Sequence, residues 1–124
     1  MLSSILNPSI RAGELVHSIA IQQPEYSAGP SGMSVMPTGW TTVRSPMAAI
    51  YTAGGRETSM AAQIVSDVSH VVKVRWTPAT IKANYRVAFG GRLFTVQYVE
   101  NVLERNRVLL LYCLETDQGG GQSR

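Results

Sequence analysis

Between Tyr85 and Leu114 the chain alternates apolar and polar residues in three consecutive runs separated by two turn signals, which predicts a three-stranded antiparallel meander. In the first run Tyr85, Val87 and Phe89 share one face, with Arg86 and Ala88 on the other, and Gly90-Gly91 offers the positive φ of a two-residue hairpin. The second run carries Phe94, Val96 and Tyr98 on one face and Leu93, Thr95 and Gln97 on the other, so burial sets its register. After a turn around Leu103 to Asn106, Arg107 to Leu114 is apolar on both faces: Val108, Leu110, Tyr112 and Leu114 against Leu109, Leu111 and Cys113. Such a strand is expected at the centre of a sheet, with something covering each side.

Three further extended segments precede the meander. Glu14 to Gln23 places Leu15, His17, Ile19 and Ile21 on one face and is expected to end at Pro24. Trp40 to Tyr51 is interrupted at Pro46, which suggests a bulge or an edge position. Ser69 to Trp76 turns His70, Val72, Val74 and Trp76 inward and Val71, Lys73 and Arg75 outward. Between the last two, residues 56–67 carry Met60, Ala61, Ile64 and Val65, with Val68 just beyond, at helical spacing and predict the one α-helix. The expected fold is mainly β, a small antiparallel barrel or sandwich of about six strands with the helix plugging an end or covering a face. The expected boundaries are an N-terminal arm over 1–12, a single β domain over 13–115 and a disordered tail over 116–124.

Residues 24–39 form a long loop with three prolines, three glycines and one charge, Glu25. Connections of this length inside a small domain are usually functional or disordered. Tyr26, Met33, Val35 and Met36 are apolar groups that an inert linker does not need, and they suit docking onto another subunit. Ile5, Leu6 and Ile10 give the N-terminal arm a similar capacity to order on a neighbour.

The 124 residues, 44% hydrophobic and 15% charged, suffice for one domain with its own core. The lone Cys113 excludes an intrachain disulfide and is read as a core residue. No export signal or membrane span is expected, because Pro8 interrupts a short apolar start and no later run is long enough. The net charge of +3 is unevenly spread: no acid lies between Asp67 and Glu100, an interval holding Lys73, Arg75, Lys82, Arg86 and Arg92. These cations are candidates for a face toward DNA or an acidic protein, unless Glu57, Glu100 or Glu104 pairs with them in space.

Signs of catalysis are missing. Serines do not occur in a G-x-S-x-G turn, the acids show no D-x-D spacing, and neither glycine pair continues into a phosphate-binding pattern. No enzyme, metal or cofactor is expected, and His17 is read as a core or rim histidine. A nucleic-acid-binding barrel using Arg75, Arg86 and Arg92 with Tyr85 or Phe94 as stacking groups remains open, although the alternation turns both aromatics inward.

The run Arg11-Ala12-Gly13-Glu14-Leu15, then His17 and Ile19-Ala20-Ile21-Gln22, resembles the opening of the tailed-bacteriophage head-tail joining proteins, the small head-closure adaptors. The resemblance continues through Trp40, Ala48-Ala49-Ile50, Gly55-Arg56-Glu57, Ser69 to Trp76, Tyr85-Arg86-Val87 and Gly91 to Val96, covering about residues 11–115. It implies a non-catalytic virion protein at the head-tail interface, assembled in the bacterial cytoplasm. There it docks beneath the portal or an upper adaptor ring and forms a ring around the DNA exit channel, expected to be dodecameric. It then presents a surface to the tail or the next connector. In such adaptors a long loop near the first strands projects into the channel to retain packaged DNA. Residues 24–39 hold that position but are richer in Gly, Pro and Met and almost uncharged, so a strap onto the next subunit is an equal expectation. A tail-terminator or tail-completion ring protein is the nearest competing class.

Overall fold

The computed structural model describes residues 9–26, 36–52 and 68–116. These residues form eight strands: β1 (His17–Ser18), β2 (Ala20–Glu25), β3 (Gly39–Arg44), β4 (Met47–Thr52), β5 (His70–Arg75), β6 (Arg86–Phe89), β7 (Arg92–Asn101) and β8 (Val108–Thr116). All pairings are antiparallel, in one sheet of order β1-β4-β5-β8-β7-β6-β2-β3. A two-sheet sandwich is therefore set aside.

The count exceeds expectation because two predicted strands each break once. Only Ile19 separates β1, at one edge of the order, from β2 near the other, so the sheet must curl to bring those regions together. The partner ribbon bends at the same level, where Ser45 and Pro46 part β3 from β4, and the Ile19 N–H donates to the Pro46 carbonyl across the corner at 3.2 Å. Among the described residues there is no α-helix, only a 3-10 turn at Val102–Glu104; the helix expected over 56–67 lies outside them.

The meander forms as the alternation requires. Gly90 and Gly91 have φ of 56° and 83°, the left-handed pair of a tight hairpin, and set Phe89 opposite Arg92. β8 lies between β5 and β7 and is buried from Val108 through Cys113. One assignment changes. The register shifts between Val96 and Tyr98, so the extra residue turns Tyr98 to the outer face beside Tyr112 and lets Val99 join the inner core.

Pro24 does not end its strand. It pairs with Trp40, and β2 is bonded to β6 only from Ala20 to Gln22, so at Pro24 one edge has no ladder partner to lose. The β2–β3 ribbon thus runs past the body of the sheet, and Thr38 closes onto the Glu25 carbonyl through its N–H at 2.7 Å.

The inner core gathers Ile19, Ile21, Ala48, Val72, Val74, Val87, Phe94, Val96, Leu109, Leu111 and Cys113 inside the curl. A second cluster lies on the opposite face of β5 and β8: Val71, Val102, Val108, Leu110 and Tyr112, with Ile10, Tyr51 and Val68 against it. The cover that β8 needs on this outer side comes in part from the N-terminal segment.

Candidate functional site

Lys73 lies on the outer face of β5, as its alternation predicts, yet its side chain is fully buried. Its Nζ lies 3.0 and 3.2 Å from the two carboxylate oxygens of Glu14 and donates to the Ser9 carbonyl at 3.0 Å. The Tyr51 hydroxyl donates to Glu14 Oε2 at 2.6 Å, and the Arg11 N–H donates to Oε1 at 3.0 Å. Burial alone would push the Glu14 carboxyl up, but the bonds from Tyr51, the Arg11 backbone and Lys73 outweigh it and hold the group below its ordinary value. The Tyr51 hydroxyl is pushed up, by burial and by the carboxylate it serves. Lys73 is therefore removed from the candidates facing DNA or a portal. It clasps the segment around Glu14 against the sheet.

Two other predicted cations are also engaged within the chain. Arg86 donates from Nε to Gln22 Oε1 at 2.6 Å and lays its guanidinium 4.1 Å from the Trp40 ring centroid. Arg92 forks onto Glu115, with Nε to Oε2 at 2.9 Å and Nη2 to Oε1 at 3.0 Å, and approaches the Phe94 ring at 5.0 Å. The acid-free stretch is thus supplied with acceptors from Glu14, Gln22 and Glu115, brought in by strand pairing and the clasp. Arg75 and Lys82 remain exposed. Arg75 does not stand alone: with Arg107, Ser9 and Ile10 it lines a recess of about 300 Å³.

Tyr85 and Phe94 are buried in the inner core and cannot serve as stacking platforms for bases. Cys113 is also buried there, and burial pushes its thiol up, as for an inert core cysteine. His17 is half-buried, edge-on to Phe89 at 4.8 Å, which suits a rim histidine. His70 lies against Phe94 and beside Ser69, and burial, then the nearby Arg92, lowers its pKa against the pull of Glu115. Among the described residues no group of acids, histidines and cysteine could hold a metal ion.

The ends of the β2–β3 ribbon carry Tyr26, 54% exposed, and Met36, 69% exposed. Met33 and Val35 lie outside the described residues, as do Ile5 and Leu6 of the arm. Ile10, the third arm residue, packs on the outer cluster of the same chain, where docking onto a neighbour was expected. Sequence reasoning missed the Glu14–Lys73 pair and Arg107. A usable signal existed for the first: β8 has no polar face, so the strand beside it must also be covered on both sides, and a lysine there needs an internal partner.

The solution structure of protein SF1141 from Shigella flexneri 2a is similar in fold, with a TM-score of 0.63 and 18% identity over 92% of this chain and 100% of that one. No curated protein matches the sequence. The family model described as phage head completion protein matches residues 10–116, a span that begins at the Ile10 cover and ends with β8. The chain belongs to the phage head completion protein family and is a structural, non-enzymatic phage protein.

Proposed function

We propose that the protein binds beneath the portal, or an adaptor ring already attached to it, on a DNA-filled head. There it forms a ring around the exit channel, helps to close the head and offers the surface on which the tail docks. The observation that carries this reading is the family match, which spans the curled sheet from the clasp to the last strand. The β2–β3 ribbon supports it. A two-stranded extension with Tyr26 and Met36 exposed at its ends can reach a neighbouring subunit or the channel while the inner core stays closed. Met33 and Val35 belong to the same excursion in sequence and share that role.

A ring of identical subunits requires two different contact faces on each copy. The chain is monomeric when free and assembles on the portal template, which sedimentation in dilute solution tests directly; a stable free ring would count against it. Of the five cations in the acid-free stretch, Arg75 and Lys82 remain candidates to face the portal or packaged DNA.

The deciding experiment adds purified protein to DNA-filled, tailless heads that lack it. Bound protein, DNA leakage and competence to accept purified tails are then followed. Binding with restored retention or tail joining is the expected result. Where heads are bound, deletion of residues 27–35 then distinguishes a gate from a strap, whereas binding to free tails while heads are ignored would move the protein to the tail-terminator class.

A further inference from the structure

The recess between the end of β5 and the start of β8 is bounded by Arg75 and Arg107, with Ser9 and Ile10 forming its wall. The backbone holds the two arginines close together. Arg75 pairs with Val108, the next residue after Arg107, and the Trp76 N–H donates to the Arg107 carbonyl at 3.0 Å. Both arginines are exposed, and neither guanidinium has an acidic partner among the described residues. Three other cations are served internally: Lys73 by Glu14, Arg92 by Glu115, and Arg86 by Gln22 and Trp40. Like charges held side by side without a counter-charge are unfavourable, and a bound anion reverses the sign of that interaction.

We propose that this recess is an anion-binding site that receives the carboxylate of an acidic side chain from another protein of the assembly. Two planar guanidinium groups can present paired donors to one carboxylate. The Ile10 wall suits the aliphatic stem of a glutamate or the apolar residue beside it. A duplex backbone fits the same place less well. DNA carries one negative charge for each ~1.7 Å of its axis, so it calls for an extended track of cations, whereas Lys73 is buried and Arg86 and Arg92 are committed within the chain. The clasp also shapes the site, since Lys73 holds the Ser9 carbonyl and so sets the wall beside Arg75. Only the identity of the natural ligand rests on the function proposed above; the recess itself does not.

The test uses the full chain labelled with nitrogen-15 and a capped leucine-glutamate-leucine peptide. Amide resonances of Arg75, Trp76, Arg107 and Val108 and the arginine side-chain resonances are followed, with the glutamine version of the peptide and a short DNA duplex as comparators. The glutamate peptide is expected to give saturable shifts at these residues that weaken with salt, and the glutamine peptide none. Arg107→Gln and Arg75→Gln, each verified to keep the parent melting temperature, should weaken binding about tenfold, as for one lost charge-assisted contact. Equal effects of the two peptides, no shifts, or stronger displacement of the same resonances by the duplex would overturn the proposal. Failure here with normal binding to heads would leave the proposed function standing, and the reverse outcome would leave the recess standing without it.

Discussion

The two faces of the β5–β8 region are buried by different means. The inner face closes through hydrocarbon and aromatic packing, with Val72, Val74, Phe94, Leu109 and Leu111 meeting across the curl. Its stabilisation is non-directional and shared among many side chains. The outer face has its own apolar cluster, but the segment crossing it is fixed by Glu14, which meets Lys73 and Tyr51 below and the Arg11 backbone beside it. A network of this kind is directional, and losing one member leaves the remaining polar groups buried with fewer partners. The inner face therefore secures the fold, whereas the outer face positions one segment and the recess beside it.

The largest effect should come from the inner face. Phe94→Ala removes a fully buried ring and is expected to cost about 3–5 kcal/mol, read as a fall in the denaturant midpoint with the slope unchanged. Retention of parent stability would show that the inner face does not dominate.

Next comes the clasp. Glu14→Ala takes the Glu14 carboxylate away from the buried Lys73 ammonium and should cost roughly 3 kcal/mol, while Glu14→Leu combined with Lys73→Met should cost less than either change alone. The comparison predicts a local signature as well: Glu14→Ala should speed tryptic cleavage after Arg11 well before global unfolding. If Phe94→Ala did the same at matched stability, the two faces would not be separable.

Acid should act mainly on the clasp. Because folded Glu14 holds its proton more weakly than the unfolded chain, its contribution is fully present above the ordinary carboxylate value near 4.5 and is lost as pH falls through the lower folded value. Denaturation midpoints measured from neutral pH downward should drop in the parent more steeply than in Glu14→Gln, and parallel curves would remove Glu14 from the account.

The smallest effect belongs to the Arg92–Glu115 pair, which is largely open to solvent at 2.9 Å. Arg92→Gln is expected to cost less than about 1 kcal/mol. A larger loss in the same denaturation experiment would mean that the contacts with Phe94 and His70 join this arginine to the inner core.

The residue pattern is enough to specify the meander, its Gly90-Gly91 hairpin and the central place of β8, because alternation and turn chemistry are local and β8 has no face that tolerates water. It also determined the inward setting of Tyr85 and Phe94, and the family resemblance was carried by short motifs in order. How the strands join depends on contacts between segments far apart in the chain. The breaks at Ile19 and at Ser45-Pro46 arise where the sheet curls, and the bulge at Gln97 depends on the register against β8. The fate of the cations was likewise decided in three dimensions. Glu14 and Lys73 are 59 residues apart and Arg92 and Glu115 are 23 apart, so no periodicity links them. Charge pairing acts over a few ångströms of space, while a sequence pattern reports only the few residues on either side.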